Sequence, residues 1–160
     1  MNESTRGALE GLLDDYDARR NREVSARSAE QAAQAQFLMD AMTVLDTVVA
    51  PCFDKFSEAL KGHNHACTIE RKSHVETDQS SESQIQLNVF PEGTTLPQGN
   101  ASLAYIASAH RRKFSAHRSV TTRNAGSILT TLGVYDLAQV TPALVNQHLL
   151  ELAQAVFSAG

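Results

Sequence analysis

The chain has 160 residues, a net charge of −4 at pH 7, 42% hydrophobic and 20% charged residues. That length supports one core burying roughly 70% of the surface the unfolded chain exposes, so no staples are needed, and the mild acidity excludes wholesale attraction to nucleic acid or anionic lipid. Cys52 and Cys67 are too few for a disulfide scaffold, and the absence of Trp with only 6% aromatics argues against a base-stacking platform.

The N-terminal segment opens with helical spacing. Leu9, Leu12, Leu13 and Tyr16 follow the i, i+3, i+4, i+7 pattern of one helical face. Gly7 and Gly11 weaken the start, so residues 1–24 read as a helical or partly frayed N-terminal extension, and 25–160 as a single α+β domain. Ala29, Ala32, Ala33 and Ala35 among Glu and Gln carry high helix propensity. Leu38, Met42, Leu45 and Val49 then form a second stripe, widened by Ala41, Val44 and Val48. Pro51 lacks an N–H and clashes with the carbonyl four residues back, which predicts a kink or break near Val48 to Ala50. Apolar positions resume at Phe53, Phe56 and Leu60, and Lys61-Gly62 reads as a last-turn cation followed by a C′ glycine.

From His65 the period changes to two. Cys67 and Ile69 fall on one side of a strand, Thr68, Glu70 and Lys72 on the other. Asp78 to Ser83 reads as a hairpin loop, after which Ile85, Leu87 and Val89 alternate with Gln84, Gln86 and Asn88. Pro91-Glu92-Gly93 and Pro97-Gln98-Gly99-Asn100 mark loops. A third strand spans Leu103 to Ala109, and His110 to Lys113 is a turn. A fourth strand has Phe114, Ala116, Arg118 and Val120 on one face. Asn124-Ala125-Gly126 turns the chain into a last strand through Ile128, Thr130, Leu132 and Val134, broken in its alternation by Gly133. Five strands on short loops favour antiparallel neighbours.

The C-terminal helix has the fullest local signature: Thr141 as N-cap, Pro142 at N1, and a staple between Val140 and Val145. Leu144, Val145, Leu149, Leu152 and Val156 make its stripe.

The expected fold is therefore α+β: a long kinked N-terminal helix, a five-stranded antiparallel β-meander and a C-terminal helix, with the helices on one face of the sheet. The other face would expose Thr68, Glu70, Lys72, Gln84, Gln86 and Asn88 to water or to a partner. A helix from Ser25 to Lys61 would span ~55 Å, against a radius of gyration of ~15 Å for a compact domain of this length. The excess points to a homodimer through the N-terminal helix, with Leu9, Leu12, Leu13, Tyr16, Leu38, Met42 and Leu45 as its apolar contacts.

Arg111, Arg112, Lys113, Arg118 and Arg123 stand together without an acid, and a hairpin carrying them could meet phosphates of a nucleic acid or another polyanion. The same residue types are ordinary on hairpins and edge strands, where they discourage aggregation. His63, His65 and Cys67 alternate, with His74 further on, so a strand would point the first three one way. The paired spacings of zinc sites are missing, and no metal is expected. No nucleophile elbow, phosphate loop, dinucleotide fingerprint or zinc-protease motif occurs, so no cofactor is expected and the chain leans away from catalysis, an unrecognised site being the third reading. The first residues lack a basic segment followed by an apolar run, and no apolar stretch approaches the ~20 residues of a membrane span; a reduced, cytoplasmic location without a membrane is the expectation. The leading functional expectation is a non-enzymatic interaction or adaptor protein.

Overall fold

The computed structural model describes residues 2–76, 80–94, 99–122 and 126–158. Helix α1 (Glu3–Val44) continues through a π-helical segment, Leu45–Val49, into α2 (Ala50–Lys61). Strands β1 (Ala66–Glu76), β2 (Ser80–Phe90), β3 (Ala101–Ser108), β4 (Lys113–Thr122) and β5 (Gly126–Tyr135) follow, then α3 (Pro142–Phe157). The strands form one antiparallel sheet in the order β1-β2-β3-β4-β5, as the short loops require. The chain divides into two compact units, Met1–Gln36 and Phe37–Gly160.

In the first unit the helix begins at Glu3, where the Asn2 side chain accepts the Thr5 amide at 2.8 Å, and it passes through Gly7 and Gly11. Asn at the N-cap satisfies one of the four orphan amides of the first turn.

In the second unit the kink or break expected near Val48 to Ala50 takes the form of a wider turn within one continuous helical run. The Ala50 amide donates to the Leu45 carbonyl, five residues back, and the helix continues. Opening one turn to π spacing makes room for the proline ring against the preceding turn, so the helix bulges instead of stopping. The helix end also differs from expectation. Gly62 stays right-handed at φ −62° and the left-handed position falls to Asn64 at φ 66°. Asn tolerates that region because its short polar side chain bonds locally.

The core lies between the sheet and the helices. Phe37, Ala41, Leu45, Val49 and Phe53 descend from the helical side onto Ile85, Leu87, Val89, Leu103, Tyr105 and Phe114. Val145, Leu149 and Leu152 of α3 close it. The α3 start is as the sequence indicates: Thr141 accepts the Leu144 amide at 3.3 Å, and Val140 and Val145 are both buried. By length and composition alone, one 18-residue window of the helical run Glu3–Lys61 could cross a membrane, a stretch the expectation of none had missed. Phe37, Ala41, Leu45, Val49 and Phe53 of that run are core side chains of this fold, which is where apolar helix faces of such composition ordinarily come from.

Two strand details correct the sequence reading, and the described part of one loop agrees with it. Ser80 to Ser83, expected in a loop, belong to β2 and pair with β1 from Glu76 to Ser73; Asp78 and Gln79 lie outside the described residues. The second expected loop is described only from Gly99, at φ +80°, where an added Cβ would lie 2.4 Å from the Val89 carbonyl oxygen. In the last strand Ala116 pairs with Gly133 but His117 pairs with Thr131, leaving Leu132 as an extra residue. That bulge reverses the alternation: Leu132 and Tyr135 pack on the core, and Val134 is exposed.

Candidate functional site

Residues 3–32 of α1 are exposed throughout. Leu9, Leu12, Leu13, Tyr16 and Val24 are between 42% and 68% exposed; the first four keep the i, i+3, i+4, i+7 spacing of one face, and Arg20 and Glu23 stand on that face before Val24. The rest of the expected dimer stripe divides: Leu38 is half-buried beside the core, Met42 is exposed, and Leu45 is wholly buried against the sheet. Leu45 is therefore an intrachain contact, because the stripe after Phe37 faces the chain's own strands.

The sheet face opposite the helices is polar, as its alternation indicates. Gln84 Nε2 donates to Gln86 Oε1 at 3.1 Å, Gln86 Nε2 to Asn88 Oδ1 at 2.8 Å, and Asn88 Nδ2 to Thr68 Oγ1 at 3.1 Å. Each amide thus donates to the next group along a ladder that crosses from β2 to β1. Thr68, Glu70, Lys72, Asn88, Ser102 and Ser119 line a concavity of about 440 Å3 on the same face. Further across, His117 bonds Ser115 at 3.0 Å and Thr131 at 3.3 Å.

The basic hairpin does not gather its cations. Arg111 and Arg112 are exposed at the β3–β4 turn, with Arg112 at φ 53°. Lys113 is ion-paired with Asp136. Arg118 is on the helix side of the sheet, 3.9 Å from Glu151 of α3. Arg123 lies outside the described residues. Alternation between faces separates Arg118 from Lys113, as an odd spacing on a strand must.

His63, His65 and Cys67 are not brought together either. The strand starts at Ala66, so the histidines precede it on a turn: His63 is exposed, and His65 Nδ1 accepts the Glu92 amide at 2.9 Å. Among the described residues no group of three His, Cys, Asp or Glu is placed to hold a metal ion. Cys52 and Cys67 are free thiols; burial raises the pKa of both, outweighing Lys55 near Cys52 and the Ser57 bond and Lys61 near Cys67. Raised thiols are poor nucleophiles.

One cluster escaped the sequence reading. His148 of α3 is buried between two tyrosines: Tyr105 Oη is 2.5 Å from Nδ1 and Tyr135 Oη 3.3 Å from Nε2. A neutral imidazole has one donor and one acceptor nitrogen, and each here meets a hydroxyl able to play either part. Burial lowers the His148 pKa, opposed by Glu151 and aided by Arg118; burial likewise pushes the Tyr105 phenol above its ordinary range, with Tyr135, Cys52 and Glu151 adding. The available signal was a histidine in the stripe register of α3, three residues after Val145. Neither Tyr105 nor His148 lines the polar concavity, and the cluster joins α3 to the sheet.

No family model, curated protein or solved structure matches this chain. What the fold defines is the class: an α+β protein with an open five-stranded antiparallel sheet, a long N-terminal helix and a C-terminal helix.

Proposed function

We propose that the chain is a non-enzymatic interaction protein that acts as a homodimer through the helix of residues 3–36 and offers its polar sheet face to a protein partner. The observation that carries this reading is the exposed run Leu9, Leu12, Leu13, Tyr16 and Val24. Burying one such side chain is worth roughly 1.5–3 kcal/mol, and a second chain is a source of cover. The two free thiols suit the reduced, cytoplasmic location that belongs to this reading. Sedimentation equilibrium at micromolar concentration tests it: a dimer mass is expected, and Leu12→Glu with Leu13→Glu should give a folded monomer. A monomer mass for the natural protein overturns the reading.

Polyanion binding at Arg111 and Arg112 is the second reading, supported by their exposure on one tight turn. It is limited by the carboxylate partners of Lys113 and Arg118. Salt-dependent retention of RNA, lost in Arg111→Ala with Arg112→Ala, would favour it over the first.

A further inference from the structure

On the open face of the sheet the register sets Thr68, Asn88, Ser102, Ser119 and Leu129 side by side in one row across all five strands. In the next row stand Glu70, Gln86, Ala104, His117 and Thr131. The short side chains of Ser102 and Ala104 make β3 the low line of this face. Gln86 and Asn88 stand on one side of the concavity and Ser119 and Thr121 on the other. Of the side chains that line it, Glu70 and Lys72 carry charge, and these two pair with each other at 3.9 Å on the β1 border.

The amide ladder on this face has groups to spare. A carboxamide has two N–H bonds and an oxygen with two lone pairs. Gln86 and Asn88 each donate once and accept once within the ladder, so each keeps one donor and one acceptor. Because they are two residues apart on one strand, the spare groups recur at ~6.8 Å. An extended polypeptide repeats in the same way. A residue on one of its edges presents its N–H and C=O together, and the next to do so on that edge is two residues on, at the same spacing.

We propose that the protein partner meets this face with an extended, uncharged segment lying along β3. Alternate residues of the segment bond through their backbone N–H and C=O to Gln86 and Asn88, and the residues between them face the hydroxyls of Ser119 and Thr121. The inference rests on the protein-partner reading above and adds the conformation and chemistry of what binds. A helix is excluded as the occupant because its backbone groups are already bonded within it and leave the spare amides unmet. A charged segment would be desolvated against a lining that offers it no free countercharge.

Titration of the 15N-labelled full-length protein, followed at the side-chain NH2 signals of Gln84, Gln86 and Asn88, tests the assignment. The probe is a capped peptide of four Ser-Val repeats. It should shift these signals saturably with a Kd of about 1 mM or tighter. The same peptide N-methylated at every residue, and a peptide of four Glu-Val repeats, should each bind at least about tenfold more weakly. Gln86→Leu, with the backbone amide signals of the sheet retained, should weaken the Ser-Val peptide by a similar factor. Undiminished binding of the methylated peptide overturns backbone recognition while leaving a protein partner on this face. Equal binding of the Glu-Val peptide, or an unchanged affinity in Gln86→Leu, overturns the stated chemistry. Shifts with maltohexaose and none with peptide assign the face to a saccharide and overturn the protein-partner reading as well. Shifts that follow protein concentration alone make the occupant a second copy and overturn the proposal, as does the absence of any shift. The mass in sedimentation reports on the helix dimer separately from all of these.

Discussion

The Tyr105 hydroxyl lies 2.5 Å from His148 Nδ1, and this contact joins the centre of β3 to the middle of α3 inside the core. Tyr105 also packs on Phe53 at a centroid distance of 6.2 Å, so one side chain meets both α2 and α3 on the covered face of the sheet. A buried polar pair of this kind is stabilising only while both members are satisfied.

Removing one partner should therefore cost more than removing both. Tyr105→Phe leaves His148 Nδ1 without its hydroxyl and should destabilise the fold by about 1–3 kcal/mol. His148→Leu leaves the phenol stranded at similar cost. In the double variant the losses should fall short of their sum, a coupling readable from urea midpoints in a double-mutant cycle. Additive losses would show that the contact contributes nothing beyond packing.

The same burial sets a pH dependence. The His148 pKa is lowered in the fold, so below the unfolded value of about 6.5 the unfolded chain takes up a proton that the native state resists. Stability from this group is present above pH 6.5 and is lost as the pH falls below it. The thermal midpoint should drop between pH 7.5 and 5, and His148→Gln should flatten that drop. An unchanged slope in His148→Gln would remove His148 as its source.

Gly133 and Tyr135 give a third test. An added Cβ at Gly133 would lie 2.5 Å from the Tyr135 hydroxyl oxygen and 2.7 Å from Cζ, so the tyrosine ring lies over the glycine on the core side of β5. Such covering of a strand glycine by a neighbouring aromatic pins the bulged edge. Gly133→Ala should cost about 1–3 kcal/mol by forcing the ring aside. The penalty should shrink in a Tyr135→Leu background, where the obstructing ring is gone. An equal penalty in both backgrounds, measured by urea denaturation, would place the strain in the backbone instead.

Much of the fold was legible wherever one residue's chemistry acts on its own neighbours in the chain. Thr141 and Pro142 announce α3 because an N-cap oxygen and a missing N–H act locally. Ile85, Leu87 and Val89 announce β2 and its buried face because strand alternation is a property of the backbone. The polar face of Thr68, Gln86 and Asn88 followed from the same parity.

The sequence by itself determined the order and type of the elements and the α+β class, both of which depend on spacing. Tertiary structure decided which stripe residues are used up within the chain. Leu9 and Leu45 carry the same spacing signal, yet Leu9 is exposed and Leu45 is buried against β-strands that no local pattern names. It also decided the π turn before Pro51, the bulge at Leu132 and the pairing of His148 with Tyr105, 43 residues apart. Each depends on packing against a surface distant in the chain, and the free energy of such contacts is set by shape and by desolvation in the assembled core.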